Sequence, residues 1–121
     1  NLKLGKAKYI IYKLSNDRLS IVVEKEVATS TYDDFLADLP DINCRYAVYN
    51  FDYTIDEDNH NKIVFYAWSP DVAQIRDKMA YVSSKEALLK ELDGIDVQIM
   101  GTYYDDVAHG AVLYKINRSQ T

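Results

Sequence analysis

The sequence predicts an α/β layered domain, a central mixed five-stranded sheet flanked by helices. Three observations carry that reading. Five runs of β-branched and aromatic residues alternate with capped, helix-periodic segments in the order ββαββαβα. The 121 residues suit a single core, since two halves would each be too small to bury much surface. Hydrophobic residues at 48% and charged ones at 27% are ordinary globular values, so the chain is neither disordered nor fibrous.

The elements follow in order. Residues 8–14 (KYIIYKL) and 19–27 read as two strands, with the polar link at 15–18 as a hairpin turn. Residues 31–39 form a short helix, capped by Ser30 or Thr31 and stopped by Pro40. Residues 45–53 (RYAVYNFDY) and 62–68 (KIVFYAW) are two further strands joined by an acidic loop at 56–61. Ser69, Pro70 and Asp71 then open a long helix: a capping hydroxyl, Pro in the first turn and an acid at the positive dipole end. Val72, Ile75, Met79 and Val82 follow at helical spacing as one apolar stripe. Ser83-Ser84-Lys85-Glu86 fits a capping box, which predicts a kink and restart before Asp93-Gly94 ends the helix. Residues 96–100 make the last strand, and 105–118 a final helix weakened by Gly110.

Composition excludes several functions. Fourteen Lys and Arg against nineteen Asp and Glu give a net charge of −5, which argues against a general nucleic-acid binder. The charge is uneven, because Arg76, Lys78, Lys85 and Lys90 outnumber Asp77 and Glu86 between residues 76 and 90. Such a basic strip suits a protein partner or anionic lipid heads, or is simply a solvated helix face. The longest apolar run, residues 63–68, is six residues long, far short of the ~20 that span a membrane. Cys44 stands alone, so no intrachain disulfide forms and a reducing compartment is favoured. The four glycines at 5, 94, 101 and 110 build no phosphate-cradling loop. His60 and His109 are not at metal-ligand spacing with a cysteine or with each other. A Cys44–His–Asp nucleophile is a matter for the fold, and a buried structural thiol is the plainer reading. Most of the eleven tyrosines alternate with apolar residues on strands, as core and rim side chains do.

Several stretches together resemble the actin-depolymerising factor/cofilin family, most closely its fungal members. They are Leu2-Lys3-Leu4-Gly5-Lys6, Tyr32-Asp33-Asp34-Phe35-Leu36 with Leu39-Pro40, and Cys44-Arg45-Tyr46-Ala47. The most specific is Trp68-Ser69-Pro70-Asp71 with Arg76, Lys78, Met79 and Ser83-Ser84-Lys85. The resemblance runs over nearly the whole chain. It implies one actin-depolymerising-factor-homology (gelsolin-like) domain over residues 1–121 that lacks the family's N-terminal segment, including a serine whose phosphorylation blocks actin binding. It implies an actin-binding module and not an enzyme, with no cofactor and no metal.

The implied partners are monomeric and filamentous actin, bound by a monomer that severs and disassembles filaments. The implied location is the cytoplasm, on the actin cytoskeleton, with the nucleus left open although no basic localisation run is visible. Carried over by position, Arg76, Lys78, Met79, Lys85 and Lys90 fall on the site shared by monomer and filament. His60, Lys62, Lys115 and Arg118 fall on a second, filament-only surface. Asp77 stands where the family usually has a small Ser, Leu89 and His60 where it is commonly basic, and Tyr114 where it is acidic. These departures weaken the case for phosphoinositide headgroups as ligands. They also leave open a relative that binds filaments or a branching complex without severing.

Overall fold

Alternation of side chains along each strand sorts the aromatic residues onto two sheet faces, and each face acquires its own helices. The computed structural model describes residues 7–119; the Leu2–Lys6 motif lies outside the described residues. The strands are β1 (Tyr9–Leu14), β2 (Ile21–Val27), β3 (Arg45–Ile55), β4 (Asp58–Trp68) and β5 (Val97–Gly101). They form one sheet in the order β2-β1-β3-β4-β5. Neighbours are antiparallel except β4 and β5, which run parallel and so need a crossover. That crossover is the long helix α2 (Ile75–Glu91).

One face carries Tyr9, Ile11, Tyr49, Phe51, Val64, Tyr66, Trp68 and Ile99, covered by Phe35, Leu39, Val107, Val112 and Ile116. Those covering residues belong to, or closely follow, α1 (Tyr32–Ala37), α3 (Tyr104–Val107) and α4 (His109–Ser119). The other face carries Ile10, Tyr12, Leu14, Tyr46, Val48 and Phe65, covered by Leu88 of α2 and by Leu92. The result is helix–sheet–helix layering, as the sequence predicts.

Four boundaries differ from the sequence reading. The supposed acidic loop is only a two-residue turn: Asp56 and Glu57 have positive φ (50° and 72°), and residues 58–61 already pair with β3. Helix α2 starts at Ile75, not at the Ser69-Pro70-Asp71 signal. There the Ser69 N–H bonds the Gly101 carbonyl and Ala73 N–H bonds that of Pro70, so the signal is consumed in a turn that extends the β4–β5 pairing. No kink or restart occurs at Ser83-Ser84, because the helix is anchored to the sheet on both sides of them by Tyr81 and Leu88. The final helix breaks at the extended residue Ala108, not at Gly110, which gives two helices.

Candidate functional site

The apolar stripe that periodicity marks on α2 faces solvent. Ile75, Met79 and Val82 are each 65–73% exposed, as is Val72 in the turn that precedes α2 rather than on the helix, whereas Leu88 of α2 is 2% exposed. Each residue advances ~100° around a helix, which puts Ile75, Met79 and Val82 opposite the buried Leu88 and Tyr81 side. An amphipathic helix with a single apolar face would bury that stripe. This one is apolar on both faces, and its inward contacts come from Ala80, Tyr81, Leu88 and Leu89. The remaining large apolar stripe is of the kind that marks an interaction surface.

Cations border it on both sides. Arg76 and Lys90 are exposed along one edge, while Lys78 and Lys85 are half-buried along the other. Lys78 Nζ donates to the Asp71 carbonyl at 2.7 Å, which steadies it beside the stripe. Lys85 Nζ lies 3.7 Å from the sulfur of Met100, itself 62% exposed on β5. A small cleft of about 60 Å³ opens there, lined by Tyr46, Trp68, Lys78, Val82, Lys85 and Met100 among others. All five residues expected at the shared site thus lie on one helix around one apolar strip.

Two departures from the family pattern take on physical meaning. Asp77 does not sit between Arg76 and Lys78 on the open face; its carboxylate turns inward to Arg18, 2.7 Å from Nη2. Leu89 packs against the inner cluster, so its apolar character serves the core.

The second group sits on the opposite side of the sheet. His60 and Lys62 share the strand parity of Val64, Tyr66 and Trp68, which points them to the α4 side. His60 stacks on its cross-strand neighbour Tyr53 at 5.3 Å. Lys62 is opposite Phe51, on which His109 at the start of α4 stacks at 4.8 Å. Lys115 and Arg118 are exposed on α4, Arg118 lying over the Tyr114 ring at 5.8 Å. The four therefore share a side of the molecule, away from α2.

Sequence reasoning missed four contributors. Met100 is readable only once β5 is known to point Gln98 and Met100 outward and Val97 and Ile99 inward. Tyr103 and Tyr104, exposed after β5, line a groove with Pro70 and Val72 that continues the apolar surface. Arg18, on the β1–β2 turn, carried no signal at all.

The Cys44 thiol does not offer nucleophilic chemistry. It is buried, burial pushes its pKa above the ordinary value, and its hydrogen-bond partner is the Ser69 hydroxyl at 3.6 Å. Among the described residues no cluster of His, Cys, Asp and Glu is placed to hold a metal, and no helix is long and apolar enough to cross a membrane.

Comparison with known proteins fits this geometry. The family model for cofilin/tropomyosin-type actin-binding proteins matches residues 1–117. This chain belongs to the cofilin family. The cofilins of Ogataea parapolymorpha and Mycosarcoma maydis are each 50% identical to it across 98% of its length, which spans 85% and 86% of theirs. The crystal structure of Streptomyces griseoflavus cofilin aligns with a TM-score of 0.90 at 47% identity, covering 95% of this chain and 86% of that one. At 27% identity, the structure of Plasmodium berghei actin depolymerization factor 2 still aligns with a TM-score of 0.78, over 96% of this chain and 85% of that one. Cofilin-family proteins are actin-binding regulators, and the fold read from the strand order is theirs.

Proposed function

We propose that this chain binds actin monomers and filaments and promotes the severing and depolymerisation of filaments. The observation that carries the reading is the solvent-facing stripe of Ile75, Met79 and Val82 between two cationic edges. Apolar surface of this kind is desolvated by a partner, while Arg76 and Lys78, Lys85 and Lys90 orient it against acidic groups. His60, Lys62, Lys115 and Arg118, on the far side of the sheet, would engage a second subunit present only in the filament. The working location is the cytoplasm, on the actin cytoskeleton, and phosphoinositide headgroups are a secondary ligand of the same cations.

The test has two arms. Arg76→Ala with Lys78→Ala removes binding to monomeric and filamentous actin, read by pelleting and by a labelled-monomer titration, while the melting temperature barely moves. Lys62→Ala with Arg118→Ala weakens filament binding and severing, followed by filament imaging, and leaves monomer affinity nearly intact. Full monomer binding by the folded Arg76/Lys78 variant would overturn the shared site. Equal losses for monomer and filament in the Lys62/Arg118 variant would overturn the separate one. Tyr114 on the second surface favours one alternative, a filament binder that does not sever. Imaging that shows decorated, intact filaments would select it.

A further inference from the structure

Cross-strand partners on the α2 side of the sheet form a row of Tyr46, Ala67 and Met100, one each from β3, β4 and β5. The middle member is the small one, so the row has a gap between two long side chains. Ala67 is half-buried there, although Tyr46 beside it and Phe65 two residues earlier on β4 are each 1% exposed. Above the gap, Lys78, Tyr81, Val82 and Lys85 share one edge of α2 by their helical spacing. Helix and sheet therefore leave between them a cleft of about 60 Å³ with Ala67 in its lining. At ~10–15 Å³ per water this is room for roughly four to six waters, about the heavy-atom count of one branched aliphatic side chain.

The charge around the cleft is one-sided, because among the described residues no acid lines it. Arg45 is already held in a two-nitrogen pair with Glu24, at 2.9 and 3.1 Å. Lys8, Lys13 and Arg18 are half-buried cations as well, and each lies 2.7 to 3.8 Å from a carboxylate. Lys78 and Lys85 have only neutral acceptors, the Asp71 carbonyl at 2.7 Å and the Met100 sulfur at 3.7 Å. Two half-buried ammonium groups without an anion thus border an apolar gap, an arrangement that a carboxylate joined to an apolar group would complete. We propose that the cleft receives an apolar side chain of the bound partner with a carboxylate beside it, the apolar group over Ala67 and the carboxylate between Lys78 and Lys85.

That the partner is actin rests on the actin-binding reading; the ligand chemistry of the cleft does not, and the experiment reads the two separately. The probe is 3-methylbutanoate, an isobutyl group carrying a carboxylate, with 3-methylbutanamide as its uncharged counterpart. Methyl-labelled methionine reports binding by nuclear magnetic resonance, because the chain has two methionines and only Met100 lines the cleft. The Met100 signal should shift at millimolar 3-methylbutanoate while the Met79 signal stays, and the amide should bind about three-fold more weakly. Lys78→Gln with Lys85→Gln should erase that preference for the acid and leave the amide's affinity as it was, which a general change in packing would not do. Ala67→Leu fills the gap, so it should abolish the shift without lowering the melting temperature. It should also weaken binding to monomeric actin about ten-fold, the scale of one lost apolar anchor. A Met100 signal that neither compound moves, equal shifts at both methionines, an acid preference that survives the double lysine variant, or full actin affinity in folded Ala67→Leu would overturn the inference. Cleft binding of the acid, lost in Ala67→Leu, in a wild-type chain that does not bind actin would uphold the ligand chemistry and overturn the actin reading instead.

Discussion

Gly101 closes β5 directly beneath Trp68. A Cβ there would lie 2.6 Å from Val107 Cγ1 and 3.0 Å from Trp68 Cε3. Neither neighbour has room to give, since both are at most 1% exposed and the indole N–H is tied to the Pro40 carbonyl at 2.6 Å. The Gly101 carbonyl also accepts from Ser69 N–H, so the backbone is held as well. Gly101→Ala should therefore destabilise the fold by about 1–3 kcal/mol, the usual cost of overpacking a filled core. Chemical denaturation measures it, and a variant as stable as the wild type would show that this corner relaxes freely. Gly110, with nothing within 4 Å of an added Cβ, is the natural control. In the sequence the two glycines look alike; only the packing around each separates them.

At the scale of the element, α2 makes the sharpest test, because its two faces are both apolar and only one is used by the fold. Leu88→Ala empties a fully enclosed site and should cost about 2–5 kcal/mol. Met79→Ser alters a side chain that is 65% exposed and should stay within about 0.5 kcal/mol of wild type while weakening partner binding. Equal destabilisation by the two, read from urea midpoints, would mean that the outer stripe is packed in solution. The same helix shows what was legible in advance. Stripe and flanking charges follow from 3.6-residue periodicity, and the strands from β-branched and aromatic runs. Which face of α2 looks outward did not follow, because Ile75-Met79-Val82 and Tyr81-Leu88-Leu89 are both plausible core stripes until the sheet claims one. Local capping signals failed where tertiary contacts outbid them: Ser69-Pro70-Asp71 was absorbed into a turn by the Gly101 carbonyl, and Ser83-Ser84 was carried through by Tyr81 and Leu88. Long-range pairs such as Arg18 with Asp77, 59 residues apart, leave no local pattern to read.

Tyrosine is spread through both cores, and that gives the whole molecule an alkaline limit. Tyr9, Tyr12, Tyr46, Tyr49 and Tyr66 are at most 4% exposed, and burial raises the pKa of each above the ordinary phenol value. Secondary causes reinforce it: Tyr9 donates to Asp38, so its phenolate would face a carboxylate, and Tyr66 shares a hydrogen bond with Tyr32 at 3.0 Å. A phenol with a higher pKa folded than unfolded holds its proton more tightly in the native state. Its contribution is therefore complete below the unfolded value near pH ~10 and is lost as pH rises from there towards the folded value. Each such group costs about 1.4 kcal/mol per pH unit in that window. Five acting together approach ~7 kcal/mol per unit, against a total stability of ~5–15 kcal/mol for a domain of this size. The fold should thus collapse cooperatively within about one to two units above pH 10, with phenolate absorbance and loss of near-ultraviolet dichroism following one shared transition. Phenolate absorbance that climbs gradually while the dichroism persists would show the buried hydroxyls ionising in place, and would sink this account of the tyrosine cores.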